Sequence, residues 1–304
     1  MRPQNSDLNT GGAAQAPLSR SGFGAGIAYL LAALVLFTLM DAVAKGLSVQ
    51  YHVAQIVWSR FVVNAALLAL VFRARVPRLL RTRRLGLQVL RALSQVVTGG
   101  LYFVALSKIG MAEAAALFDI NPILITLGAA LFLGERLGPH RIGGIVVAFL
   151  GALIVLRPGV SAFDPAGLFA IAGATTYAAG ALLTRSVRDE PFATSLLWSG
   201  VVGLVFSSAF LPLVWVPIRT EDLWQIVLLG SLGAIGQAAL IRAFSLAEAG
   251  LLAPFGYLGL IFSGVWGVLF FGQLPDLWTI LGAGIITGAG IYVWWRERIA
   301  AARN

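Results

Sequence analysis

Apolar residues in this chain come in long unbroken runs; they neither alternate nor repeat on a single helical face. Ten runs can be drawn, at about 24–44, 52–72, 87–107, 111–133, 139–156, 165–184, 192–215, 223–245, 249–271 and 277–295. Each holds roughly 18–23 residues, enough to cross about 30 Å of hydrocarbon at about 1.5 Å per residue. Gly, Pro and Arg fill the breaks, as in RARVPRLLRTRR at Arg73–Arg84. A membrane β-barrel needs strands of about ten residues that alternate in hydrophobicity, and none of these runs does. The pattern predicts an all-α polytopic membrane protein with ten transmembrane helices and no room for a separate soluble domain.

Composition agrees. The chain is 59% hydrophobic and 12% charged, with a mean hydropathy of +0.87, whereas a soluble domain carries about a quarter charged residues. The net charge of +9 suggests nucleic acid until the charges are placed. With the N-terminus in the cytoplasm, Arg2, Arg20, the six arginines of Arg73–Arg84, Arg91, Arg136, Arg141, Arg185, Arg188, Arg242, Arg296, Arg298 and Arg303 fall on cytoplasmic segments or their edges. Only Lys45, Lys108, Arg157 and Arg219 fall outside, and Arg60 lies within a span. That asymmetry is the positive-inside rule. It predicts a multi-pass protein of the inner (plasma) membrane with both termini cytoplasmic. It leaves no role for nucleic acid as a partner. Residues 1–22 are polar and read as a disordered tail without a cleavable signal peptide. The absence of cysteine removes disulfide and thiol chemistry.

The clause LFLGE at Leu131–Glu135 returns as LFFGQ at Leu269–Gln273, 138 residues later. A gapless comparison of Ala105–Leu156 with Ala243–Trp294 finds 10 of 52 positions identical, in constant register across two spans and their loops. The chain therefore reads as two units of five spans: residues 23–158 and 159–296, with a short C-terminal tail at 297–304. Five is odd, so the second unit enters the membrane upside down. Inverted repeats of this kind mark secondary transporters, although duplication is also a way to build a scaffold.

The run AEAAALFDINPILITLGAALFLGERLGPHRIGGIVVAFLGALIVLRPG resembles the fourth and fifth helices of the EamA type of the drug/metabolite transporter superfamily. APFGYLGLIFSGVWGVLFFGQLPDLWTILGAGIITGAGIYVWWRER resembles its ninth and tenth. QIVWSRFV, with Arg60, and LYFVALSKIG are similar to its second helix and the end of its third. The likeness covers about residues 24–298, and in overall look it is nearest the YddG-type amino-acid exporter branch. It implies ten helices, a central cavity lined mainly by helices 1, 3, 4, 6, 8 and 9, and export of small metabolites. One departure is Gln273, where many relatives carry Glu.

An ionised side chain at mid-membrane costs a few kcal/mol, so it has a partner or faces water. Asp119 lies about eight residues into the fourth span, inside FDINP. Asn121 stands beside it, and Pro122 removes a backbone hydrogen bond and frees the carbonyl of Phe118. Under the 138-residue shift Asp119 maps onto Tyr257, about as deep from the opposite face. Two readings stay open for Asp119: contact with substrate, or satisfaction by another helix. Arg60 and Asp41 read as a buried ion pair, with Arg60 holding a substrate carboxylate as the alternative. Ser94, Thr98 and Tyr102 share one face of the third span, with Gln95 beside them. Thr175, Thr176 and Tyr177 on the sixth span, Gln237 on the eighth, and Trp198 and Trp266 complete a candidate polar and aromatic lining. Trp294 and Trp295 read as an interfacial belt beside Arg296. Glu135 with Arg141 reads as a loop salt bridge or a gate. Gly282, Gly284, Gly288 and Gly290 include one GxxxG step that allows close helix contact, either with the fifth span or with another protomer.

No cluster of metal ligands and no nucleophile with a base partner is present; Ser199 in LWSGV stands without one. The predicted function is a secondary transporter without cofactor or metal. It exports amino acids, aromatic ones included, or related small metabolites by alternating access around a central cavity. An importer or exchanger and a membrane channel are the alternatives. The partners are the small-molecule substrate and the bilayer, with a homo-oligomer as an option.

Overall fold

A computed structural model of the chain describes residues 20–133, 138–158, 164–187, 190–247 and 249–301. Its elements in order are α1 (Arg20–Leu47), α2 (Val53–Phe72), a short α3 (Val76–Leu79) and α4 (Leu85–Lys108). Then come α5 (Met111–Phe118), α6 (Asn121–Leu133), α7 (Pro139–Leu156) and α8 (Gly167–Ser186). The chain closes with α9 (Phe192–Val214), α10 (Leu223–Leu246), α11 (Ala249–Gly256), α12 (Leu258–Phe271) and α13 (Leu277–Ala301). Among the described residues every regular element is helical, and ten helical stretches are long and apolar enough to cross a membrane. An even number of crossings puts both ends on one side, called here the terminal face. The tail expected at 1–22 lies outside the described residues except for Arg20–Gly22, which open α1.

The two repeats pack by the same rules. α1 lies along α10 as α4 lies along α8, α2 meets α10 as α4 meets α9, and α1 meets α12 as α8 meets α6. α7 pairs with α13, and α2 with α9. A two-fold relation in the membrane plane generates each match, as expected of inverted repeats.

The α7–α13 pair shows the relation at atomic scale. Gly144 faces Val293, and Gly282, its counterpart, faces Val155, the counterpart of Val293. A Cβ added at Gly144 would lie 2.2 Å from Val293 Cγ2, and one at Gly282 would lie 2.5 Å from Val155 Cγ2 and 2.7 Å from the Gly151 carbonyl oxygen. The fifth span is therefore the partner that the tenth-span glycines serve. Of the four, Gly282 alone makes this approach; Gly290 meets Tyr257 instead, and nothing lies within 4 Å of a Cβ added at Gly284 or Gly288. The GxxxG step itself, Gly284 and Gly288, packs against no helix.

The repeated clause also acquires a mechanical meaning. Gly272 adopts φ 64° and ends α12 in the left-handed conformation that glycine takes without penalty. The turn directs Gln273 back, and its side-chain oxygen accepts the N–H of Met111 at 3.3 Å. That N–H belongs to the first turn of α5, where no intrahelical acceptor exists. The second copy of the clause thus ties the end of a helix in one repeat to the start of a helix in the other. Gly134 and Glu135 of the first copy lie outside the described residues.

Gly282→Ala is expected to cost about 1–3 kcal/mol through overpacking against Val155 and Gly151. Gly284→Ala is expected to stay within about 0.5 kcal/mol, as open-surface changes do. Thermal unfolding midpoints of the two variants in one detergent check this; equal midpoints would remove the reciprocal glycine contact as a stabilising feature.

Candidate functional site

The fourth and ninth spans are both broken, and at matching positions. α5 ends at Phe118 and α6 begins at Asn121, leaving Asp119 and Ile120 in the turn; α11 ends at Gly256 and α12 begins at Leu258, leaving Tyr257. Asp119 and Tyr257 are the pair related by the repeat. Discontinuous spans at equivalent places in the two repeats are how transporters expose polar groups near the midplane.

Pro122 accounts for the first break, since it cannot donate to the carbonyl one turn earlier. That carbonyl, Phe118 O, accepts the Asn121 side-chain amide instead, at 2.9 Å. Asn121 is therefore committed to closing the break. The Asp119 N–H still bonds Ala115 O at 2.9 Å, which holds the carboxylate at the helix end. Asp119 Oδ2 and Arg157 Nε are the buried side-chain atoms without a hydrogen-bond partner among the described residues. Buried polar groups are nearly always paired, and each exception needs a reason.

Tyr257 and Tyr102 both stand within electrostatic reach of Asp119, and Tyr102 within reach of Asp41 as well. The Tyr257 hydroxyl rests on Gly290 of α13, where an added Cβ would lie 1.7 Å from it. The tyrosine's position thus requires a glycine there. Tyr102 leads into an aromatic run, with its ring centroid 4.7 Å from Phe118, which is 5.6 Å from Tyr177. Tyr177 is exposed along α8. Thr98 and Thr176 hydroxyls join α4 to α8 at 2.8 Å.

Arg60 and Asp41 feel each other's charge but, among the described residues, share neither a hydrogen bond nor a contact ion pair. The guanidinium instead lies over the Phe61 and Phe103 rings, at 5.8 and 5.9 Å from their centroids, in a cation–π arrangement. Gly99 of α4 and Gly233 of α10 leave the room it occupies. Sequence spacing suggested the pairing partner but not the Phe103 ring or the glycines, which come from other spans.

The remaining candidates scatter. Trp266 donates from Nε1 to the Thr38 hydroxyl at 3.0 Å and stacks on Phe270. Gln237 is half-buried in α10. Trp198 is an anchor, donating to Leu80 O at 3.2 Å. Thr175 turns back to bond Ile171 O, and Ser94 bonds Arg91 O. Gln95 accepts from Ser199 at 2.6 Å. Ser199, which had no partner in the sequence pattern, also accepts from Arg91 Nη2 at 2.8 Å. Arg91, placed by sequence at a loop edge, is buried within α4, where it also meets Ser195 O and Gln88. Arg141 is half-buried in the first turn of α7, and Glu135 lies outside the described residues.

On the side away from the termini the two broken spans meet: α5 packs on α12, and Ser263 donates to Met111 O at 3.0 Å beside the Gln273 contact. Lys45 caps the carbonyls of Leu106 and Ile109 at the end of α4. Arg157 pairs with Asp276 at 2.6 Å across the repeats. The equivalent pair, α6 and α11 near the termini, is at most marginally in contact among the described residues. The closure seen here is on the opposite face.

With this arrangement in view, the comparisons with known proteins decide the family. The sequence pattern of the EamA-like transporter family matches residues 24–157 and again 165–295. The chain belongs to the EamA-like transporter family. It is 32% identical to the pseudopaline exporter CntI of Pseudomonas aeruginosa, over 86% of this chain and 94% of that one. It is 27% identical to the S-adenosylmethionine uptake transporter of Rickettsia felis, over 92% and 95%. It is 32% identical to a riboflavin transporter of Rhizobium johnstonii, over 69% and 74%. A crystal structure of a protein 22% identical matches with a TM-score of 0.63, over 92% of this chain and 98% of that one; at that identity the likeness speaks for the fold. The relatives name different substrates and both directions, and they do not single out the YddG-type exporters.

The loops near the terminal face join the repeats through Glu190. Its carboxylate accepts from Thr82 Oγ1 at 2.5 and 2.7 Å, from Gln88 Nε2 at 2.7 Å and from the Arg83 N–H at 3.1 Å. Partial burial pushes the carboxyl up, but these hydrogen bonds together outweigh it and hold it below the ordinary carboxylate value. A depressed acid contributes stability above its unfolded pKa and loses it as pH falls through the folded one. The stability of wild-type protein is therefore expected to fall on acidification from the ordinary carboxylate value downward, and to fall less in Glu190→Gln. Thermal midpoints measured across that acid range check this, and parallel pH curves would refute it.

Proposed function

We propose that this EamA-like protein is a secondary transporter that exports amino acids, aromatic ones included, or related small zwitterionic metabolites. Export runs from the terminal face, placed in the cytoplasm of a bacterial cell by its excess of arginines, across the inner membrane. The observation that carries the reading is the unpartnered Asp119 carboxylate oxygen at the break of the fourth span, in reach of Tyr257 at the equivalent break.

The chemistry follows from the charges. A substrate ammonium supplies the partner that Asp119 lacks, through a charge-assisted hydrogen bond. Its carboxylate matches the Arg60 guanidinium, which lies over two rings and makes no contact ion pair with Asp41. Tyr102 and Phe118 offer an aromatic wall for a side chain. Closure by α5 on α12 and at most marginal contact between α6 and α11 are the arrangement that alternating access requires of one state. Exchange of those roles between the repeats yields the other state. The uptake activity named for the Rickettsia relative favours a second reading, in which the same site imports or exchanges its substrate.

Counterflow in proteoliposomes loaded with a panel of amino acids tests the proposal. The expected result is saturable exchange with at least one of them, and conductance without saturation would indicate a channel. Asp119→Asn and Tyr257→Ala are each expected to lower transport on the order of tenfold or more at unchanged expression, which corresponds to about 1.4 kcal/mol of lost binding. Unimpaired transport by both would remove them from the site. Arg60→Lys is expected to keep the charge but weaken affinity for the carboxylate, because a point charge replaces a planar fork; KM values for a zwitterion and for its amide, which lacks that carboxylate, report the difference.

A further inference from the structure

A cavity of about 830 Å³ lies between α12 and α13. Leu258, Ile261, Val265 and Leu269 form one wall, Gly284 and Gly288 the other, and Tyr257 sits at its inner end. No charged residue lines it. The apolar walls are left uncovered: Ile261 is 58% exposed and Leu269 66%.

The repeat explains why the space is there. Gly284, Thr287 and Gly288 of α13 correspond to Val146, Phe149 and Leu150 of α7 under the 138-residue shift. Three bulky side chains of the first repeat have become two glycines and a threonine in the second. A pair of isoleucines matched by the same shift differs in burial: Ile123 is 3% exposed, while its counterpart Ile261 lines the cleft.

We propose that this cleft is a binding site for a phospholipid acyl chain, seated between α12 and α13 with its end against Tyr257. Both walls are membrane spans, so hydrocarbon is the solvent at this depth. Water needs two to four polar partners, and the walls offer hydroxyls only at scattered threonines and Tyr257. The cleft opens toward the lipid, with Ile261 and Leu269 exposed on its wall, so the bilayer's own chains reach it without another protein. The wall from Leu258 to Leu269 is roughly 17 Å long at about 1.5 Å per residue, so 830 Å³ leaves a mean cross-section of roughly 50 Å². That length is about the depth of one leaflet, half of ~30 Å of hydrocarbon. An unfilled cleft would forfeit the dispersion contacts of its lining. The tyrosine that lines the cleft also lies within electrostatic reach of Asp119, so the acyl chain and the candidate site share it.

The test uses full-length protein in vesicles of phosphatidylethanolamine and phosphatidylglycerol doped with a phosphatidylcholine carrying a diazirine on its acyl chain. Photolabelling and peptide mapping are expected to concentrate adducts on residues 254–291. A filled variant carrying the first repeat's residues, Gly284→Val with Thr287→Phe and Gly288→Leu, is expected to lose them by fivefold or more. Nothing lies within 4 Å of an added Cβ at either glycine, which favours folding of the variant, and its thermal midpoint reports whether it does. Should the triple variant unfold, Gly284→Val alone is read the same way. Adducts spread evenly over all lipid-facing spans, or unchanged in a folded filled variant, would overturn the proposal. The readout needs no substrate, so it stands apart from the transport assays.

Discussion

A backbone group that leaves a helix inside a bilayer has no water to turn to and must find its partner within the protein. Everything distinctive in this molecule follows from where that rule is strained. The fourth span breaks after Phe118, and the break survives because Asn121 takes up the released carbonyl. The ninth span breaks at Tyr257, where the ring is received by the empty flank of Gly290. The first break is enclosed by α8 and α12 of the other repeat, whereas Tyr257 at the second borders the cleft between α12 and α13. What the first break leaves over is a carboxylate oxygen without a partner, the group on which the proposed substrate contact rests.

The two-fold relation between the repeats is enforced in some places and relaxed in others. It is enforced along α7 and α13, where Gly144 and Gly282 each receive the valine of the opposite span. It is relaxed at the broken spans, which meet on one face and are at most marginally in contact in their described parts near the termini. A rigid symmetric pair beside an asymmetric gate is a reasonable division of labour: tightly interlocked glycine contacts resist sliding, while the gate is held by a few exchangeable hydrogen bonds. The cleft beside Gly284 and Gly288 is a second relaxation, and it lies on the lipid side of the same tyrosine.

Much of the fold was legible because the bilayer imposes a coarse code. Length and apolarity mark a span, Arg placement marks a face, and a fixed shift marks a repeat; these depend on local composition and survive without contacts. The place of the breaks was half legible, through Pro122 and the Asp119–Tyr257 correspondence. Arg60 shows the limit. Its nearest acid in the sequence pattern was Asp41, but Phe103, Gly99 and Gly233, brought from two other spans, created a pocket over aromatic rings instead. Trp198, read as a wall, is an anchor because Leu80 of a distant loop offers its carbonyl.

The sequence by itself determined ten crossings, their inversion and the family-like repeat, because each is a property of a segment's own hydrophobicity and order. Only the tertiary structure decided which glycines touch a partner, which polar residues are spent on the backbone, and which acid remains unspent. Gly282 and Gly284 are indistinguishable as letters two places apart. One is pressed against Val155 and the other borders an open cleft, because helix rotation, set by packing across the whole bundle, assigns them to different sides.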